Sequence, residues 1–131
     1  MPALVSSTKR LEGAWLPVAA YVAGEVLPVT ELRIARLLIR EAGYQIVDHQ
    51  QHVVDRGELR LDAASAAAMD LVGLEGPNAG RTLLAIYELS NDLLSICYDM
   101  EGGAERPRSM QPEEDQVLLL ITYARDARVL S

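Results

Sequence analysis

Short apolar runs recur along the chain, each closed by glycine, proline, asparagine or aspartate, a rhythm that points to an all-β sandwich or barrel. The clearest run is VVDRGELRL at residues 53–61. Val53, Gly57, Leu59 and Leu61 fall on one of its faces, and Val54, Arg56, Glu58 and Arg60 on the other. Strand side chains alternate with period two, so this segment predicts a half-buried strand with a charged outer face. Asp55 falls on the apolar face. Residues 14–22 predict a first strand, and Pro17 within it predicts an edge, bulge or bend, because proline cannot donate to a ladder. Residues 24–28 predict a loop. Residues 29–41 fit both a helical and a strand period, and the reading adopted is a short helical turn from Thr30 to about Ile34, then a strand.

The remaining pattern divides in the same way. Strands are expected over 44–48, 69–72, 81–89, 93–99 and 116–125. Between them lie a polar turn (HQQH, 49–52), a small-residue loop (62–68), a glycine-rich loop (GLEGPNAG, 73–80), a hairpin turn (90–92) and a long polar connection (100–115). Glycines at 76 and 80 predict positive backbone φ. Roughly eight sequential strands with mostly short links predict one antiparallel up-and-down barrel, since closure removes exposed edges. The predicted domain is residues 1–131, with its core in 11–125.

Composition agrees with this picture. The 131 residues are half hydrophobic, enough for a single packed domain. Nineteen acids against twelve bases give a net charge of −7, which disfavours nucleic acid and anionic membrane as partners. One cysteine, Cys97, cannot form an internal disulfide. No run approaches a membrane span, and the first thirteen residues lack the apolar stretch of a signal peptide, so a cytoplasmic location is expected.

Several segments carry a resemblance. LEGAWLPVAA at 11–20, VVDRGELRLD at 53–62, MDLVGLEGPNAGRTLLAIYEL at 69–89 and LLSICYD at 93–99 resemble, in order and spacing, a small lipocalin-like (calycin-type) bacterial family abundant in planctomycetes. Its members are mostly of unassigned function. The resemblance implies a lipocalin-like barrel that opens on a Gly-x-Trp motif. It also implies that a basic side chain near the end of the last strand, here Arg125, lies across the indole of Trp15, so both residues are given structural roles. The connection at 100–115 and the tail after Arg125 look particular to this chain.

Candidate chemistry is sparse. His49 and His52, with Asp48 and Asp55 nearby, form a weak metal-ligand spacing that reads better as a solvated turn, and no metal or cofactor is implied. Cys97 reads as a small buried hydrophobe. Asp55, Asp70, Glu88 and Asp99 sit in or beside strands, with Arg56, Arg60 and Arg81 as candidate partners. A carboxylate turned into a barrel would serve as a polar anchor or a base. By alternation and composition, the candidate cavity residues are Tyr21, Tyr44, Asp55, Leu59, Leu61, Met69, Leu71, Leu94, Ile96 and Tyr98. Three functions remain open: a binding protein for a small hydrophobic molecule, a protein-interaction module with a filled barrel, and a cofactor-free isomerase or cyclase. A filled barrel would exclude the first and the third, an open cavity without ionisable groups would favour binding, and an open cavity with a perturbed aspartate or tyrosine would favour catalysis.

Overall fold

The computed structural model describes residues 10–61, 68–99, 106–107, 110 and 118–126. The described chain forms β1 (Gly13–Val22), β2 (Glu25–Val26), a 3-10 turn (Val29–Glu31), β3 (Arg36–Arg40), β4 (Gly43–Val47), β5 (Val53–Leu61), β6 (Ala68–Glu75), β7 (Thr82–Ser90), β8 (Leu93–Asp99) and β9 (Leu118–Arg125). Strand β1 pairs with β3, and each strand from β3 to β9 pairs with the next, always antiparallel. Strand β9 returns to β1 from Trp15↔Arg125 to Val22↔Leu119, closing an eight-stranded barrel. The all-β, up-and-down barrel expected from the alternation is therefore the fold.

Local differences have local causes. Residues 24–28 are not wholly loop, because β2 folds back on the end of β1 through Tyr21↔Val26 and Val22↔Glu25. The helical turn is one short 3-10 turn that starts at Val29. Strand β6 runs on to Glu75, into the stretch read as loop. Gly76 and Gly80 have φ of +90° and +82°, the left-handed conformation that glycine adopts at no steric cost.

The register slips on three ladders, and two of these slips change the faces expected from alternation. On β1, Pro17 pairs with Tyr123 but Ala19 pairs with Thr122, so the alternation slips by one residue after the proline. On β5, Val47 pairs with Val53 whereas Ile46 pairs with Asp55. That slip takes Val53 off the apolar face expected for it, and it is 51% exposed.

The core fills one half of the barrel. Trp15, Leu37, Met69, Leu94, Ile96 and Tyr123 are all 0–1% exposed, and Leu11 closes over them from the segment before β1. Burying residues of this size removes most of their apolar surface from water, the dominant favourable term in folding. Within the connection between β8 and β9, Arg106 is laid against the barrel. Its Nη1 donates to the carbonyls of Met69 and Ala85 at 3.1 and 2.9 Å. Its Nη2 lies 2.7 Å from Asp70 Oδ1, a close ion pair that is not aligned as a hydrogen bond. Residues 100–105, 108–109 and 111–115 of this connection, and residues 127–131 of the tail, lie outside the described residues.

Candidate functional site

The barrel has two unlike ends. At one, Trp15 is fully buried and its Nε1 donates to the Leu11 carbonyl at 2.9 Å. The Arg125 guanidinium lies 4.3 Å from the indole centroid, in cation–π contact. Arg125 also donates to the carbonyls of Glu12 (2.7 Å) and Arg10 (3.1 Å) and to Asp92 Oδ1 (3.2 Å). It thereby ties the chain before β1 to the turn between β7 and β8. Gly13 makes this possible twice over. Its φ of +136° disfavours any side chain, and a Cβ there would stand 2.8 Å from Arg125 Nη1. The glycine and tryptophan of Gly-x-Trp thus serve one plug.

The opposite end is not filled. A cavity of about 210 Å³ lies between β4–β6, β7–β9 and Ile34, which precedes β3. Its walls are Ile34, Ile46, Leu71, Leu83, Leu119 and Ile121, together with the rings of Tyr44 and Tyr98. Its polar groups are Asp55 and Asn78 and the two phenols. Ile34, Ile46, Leu83, Leu119 and Asp55 are half-buried, so the cavity reaches the surface on this side.

The polar corner is assembled from β5 and the turn between β6 and β7. Asp55 Oδ1 accepts from the backbone N–H of Arg56 at 3.0 Å, and Oδ2 accepts from Asn78 Nδ2 at 2.9 Å. Asn78 reaches Asp55 because the turn folds inward over Gly73, where a Cβ would stand 1.9 Å from the Asn78 carbonyl oxygen. The Tyr44 ring lies across Gly57, whose missing Cβ would meet the ring at 2.7 Å and its hydroxyl at 2.8 Å. Burial pushes the Tyr44 phenol well above its ordinary range, and the charges of Asp55 and Tyr98 add to the shift. Burial, with Tyr123 beside it, does the same to Tyr98. The Tyr123 phenol is pushed up to about 12, chiefly by burial, and its hydroxyl stands 3.4 Å from that of Tyr98. All three phenols are therefore neutral near neutral pH.

Of the residues singled out by alternation, Tyr44, Asp55, Leu71 and Tyr98 line this cavity together. Met69, Leu94 and Ile96 face inward but pack the filled half, and Leu59 and Leu61 also lie away from the lining. Tyr21 is corrected outright. The β1 bulge turns it to the outer face, where it is 38% exposed beside Val26. Of the arginines considered as partners for the four strand carboxylates, Arg56 pairs with Glu75 at 2.6 Å and Arg60 lies 3.9 Å from Glu58, while Asp70 is met by Arg106. Asn78 was not singled out, although an aspartate on an apolar face demands a partner and a glycine-rich turn can fold inward to supply one.

The other candidates stay apart. Asp48 Oδ1 accepts from the backbone N–H groups of Gln50 and His52, both at 2.9 Å, which stitches the 48–52 turn. These bonds, chiefly the one from His52, hold its carboxyl below the ordinary range. His49 Nε2 lies 3.3 Å from the Leu32 carbonyl, and the His52 side chain is largely exposed. Among the described residues no three metal-ligating side chains converge. Cys97 is buried, which pushes its thiol up to about 11 and leaves little thiolate for nucleophilic work. Glu88 is exposed, and Asp99 is buried at the end of β8. No described helix is long and apolar enough to cross a membrane. No family model, no curated protein and no solved structure matches the chain.

Proposed function

We propose that this chain is a lipocalin-like binding protein that holds a small hydrophobic molecule in the unplugged half of its barrel. The observation that carries the reading is the half-filled interior. One end is sealed by Trp15 under Arg125, while the other keeps a cavity of about 210 Å³ with mainly aliphatic and aromatic walls. An apolar concavity with few polar groups is the usual form of a small-molecule site. Its volume exceeds the ~150 Å³ that accommodates benzene in a dry engineered cavity. It is below the ~300 Å³ at which drug-sized sites begin, so the ligand is a compact, single-ring-sized molecule. A catalytic reading has less support, because the one carboxylate in the lining, Asp55, is accompanied there only by Asn78 and by phenols that burial keeps neutral, so no acid–base pair is assembled.

Saturation-transfer NMR with toluene and indole tests this. Both should receive saturation from the wild-type protein, and Leu83→Trp, which puts a large ring into the cavity mouth, should abolish the transfer. Wild-type protein that is folded yet transfers nothing to either molecule would refute the reading.

A further inference from the structure

We infer that the cavity selects a small hydrophobic amine, with its ammonium seated on Asp55 and its ring among the apolar walls. This rests on the binding reading above and names the chemistry of the ligand. Asp55 is the one charged residue among those lining the cavity. Both of its oxygens already accept hydrogen bonds, from the Arg56 backbone N–H and from Asn78 Nδ2. Acceptance on both oxygens is the behaviour of an ionised carboxylate, which has about four acceptor positions and so keeps about two unused here.

Both donors are neutral, so they orient the carboxylate without cancelling its charge. Among the described residues no lysine, arginine or histidine pairs with Asp55, and the adjacent Arg56 guanidinium is turned outward to Glu75 at 2.6 Å. A half-buried negative charge against apolar walls lacks a counter-charge, and a ligand ammonium supplies one together with hydrogen-bond donors. The rings of Tyr44 and Tyr98 stand in the same lining, and aromatic faces attract cations. Anions meet the opposite conditions, with Asp55 inside and a net charge of −7 on the whole chain. Asn78 holds Asp55 at a polar corner of a lining that is otherwise apolar or aromatic, with Leu83 and Leu119 among its walls. The ligand is therefore amphiphilic, with an amine and a hydrocarbon body.

The test compares three molecules of nearly one shape by calorimetry at neutral pH: phenethylamine, ethylbenzene and 3-phenylpropionate. Phenethylamine should bind the wild-type protein at least about tenfold more tightly than ethylbenzene, as expected for a charge-assisted hydrogen bond, and 3-phenylpropionate should bind most weakly. Asp55→Asn keeps the shape and removes the charge. It should abolish the amine's advantage, bringing phenethylamine to the affinity of ethylbenzene. If ethylbenzene binds and phenethylamine binds no better, or if Asp55→Asn preserves the preference, the amine inference is overturned while the cavity reading stands. If none of the three binds folded wild-type protein, both fall. Should Asp55→Asn not fold, the wild-type ranking decides alone.

Discussion

At the Trp15 end of the barrel, Trp15, Leu37, Leu94 and Tyr123 are all but fully buried, and the polar groups of the plug are spent on one another. Arg125 has three acceptors besides the indole face, and the indole N–H has Leu11. At the Asp55 end the same alternating strands leave space, and the carboxylate keeps acceptor capacity beyond its two partners. The strands do not differ in kind. What differs is the size of the side chain each layer receives and the glycines between layers. Gly13 admits a guanidinium to complete a plug, whereas Gly57 lets the Tyr44 ring lie against the wall instead of standing across the lumen. One end is finished by the chain itself, and the other is left with a cavity.

The largest expected effect comes from breaking the plug. Trp15→Ala should destabilise the protein by about 3–5 kcal/mol, because a fully buried indole leaves a cavity and strands the Arg125 guanidinium. Leu83→Ala, the matching truncation at the half-buried rim, should cost only about 1 kcal/mol. Urea denaturation of the two variants checks both values. Equal losses would mean that the ends do not differ as described.

Enlarging side chains sharpens the comparison, because the sign should change between the ends. Leu94 is completely buried in the filled half, so Leu94→Phe should overpack it and destabilise by about 1–3 kcal/mol. Leu83→Phe extends into existing space and should stabilise by about 0.5–1 kcal/mol, while reducing uptake of toluene. Thermal unfolding with and without toluene reads both effects. A destabilising Leu83→Phe would show that the rim cannot accept an aromatic ring.

The two ends were not equally legible in the sequence. The barrel follows from period-two alternation, and the plug is marked by a tryptophan and a glycine two residues apart. The cavity depends on register, and register slips at bulges. Alternation carried past Pro17 assigns Tyr21 to the inside, yet the slip between Pro17 and Ala19 sends Ala20 inward and Tyr21 out. Asp55 was readable as an inward carboxylate, but its partner was not. Asn78 meets it only because a turn without regular structure folds over Gly73, and no periodicity encodes that. Nor does alternation separate Leu71, which lines the cavity, from Met69, which packs the filled half. The two differ only in their depth along the barrel.

The smallest expected effect lies in the turn that borders the open end. Asp48 holds residues 48–52 by accepting two backbone N–H groups, and those bonds lower its carboxyl from the usual 3.8. A carboxyl whose folded value lies below its unfolded value stabilises the fold fully above the unfolded value, and the contribution is lost as pH falls through the folded one. Asp48→Asn keeps an acceptor oxygen but removes the charge. The variant should therefore be slightly less stable than the wild type near neutrality, by less than the change expected for Leu83→Phe, and the gap should begin to shrink below about pH 4 and close once the pH has fallen past the lowered folded value. Urea midpoints of both proteins across that range measure it. A gap that persists undiminished in strong acid would mean that the asparagine disturbs the turn's shape, and that charge on Asp48 is not what holds this side of the mouth.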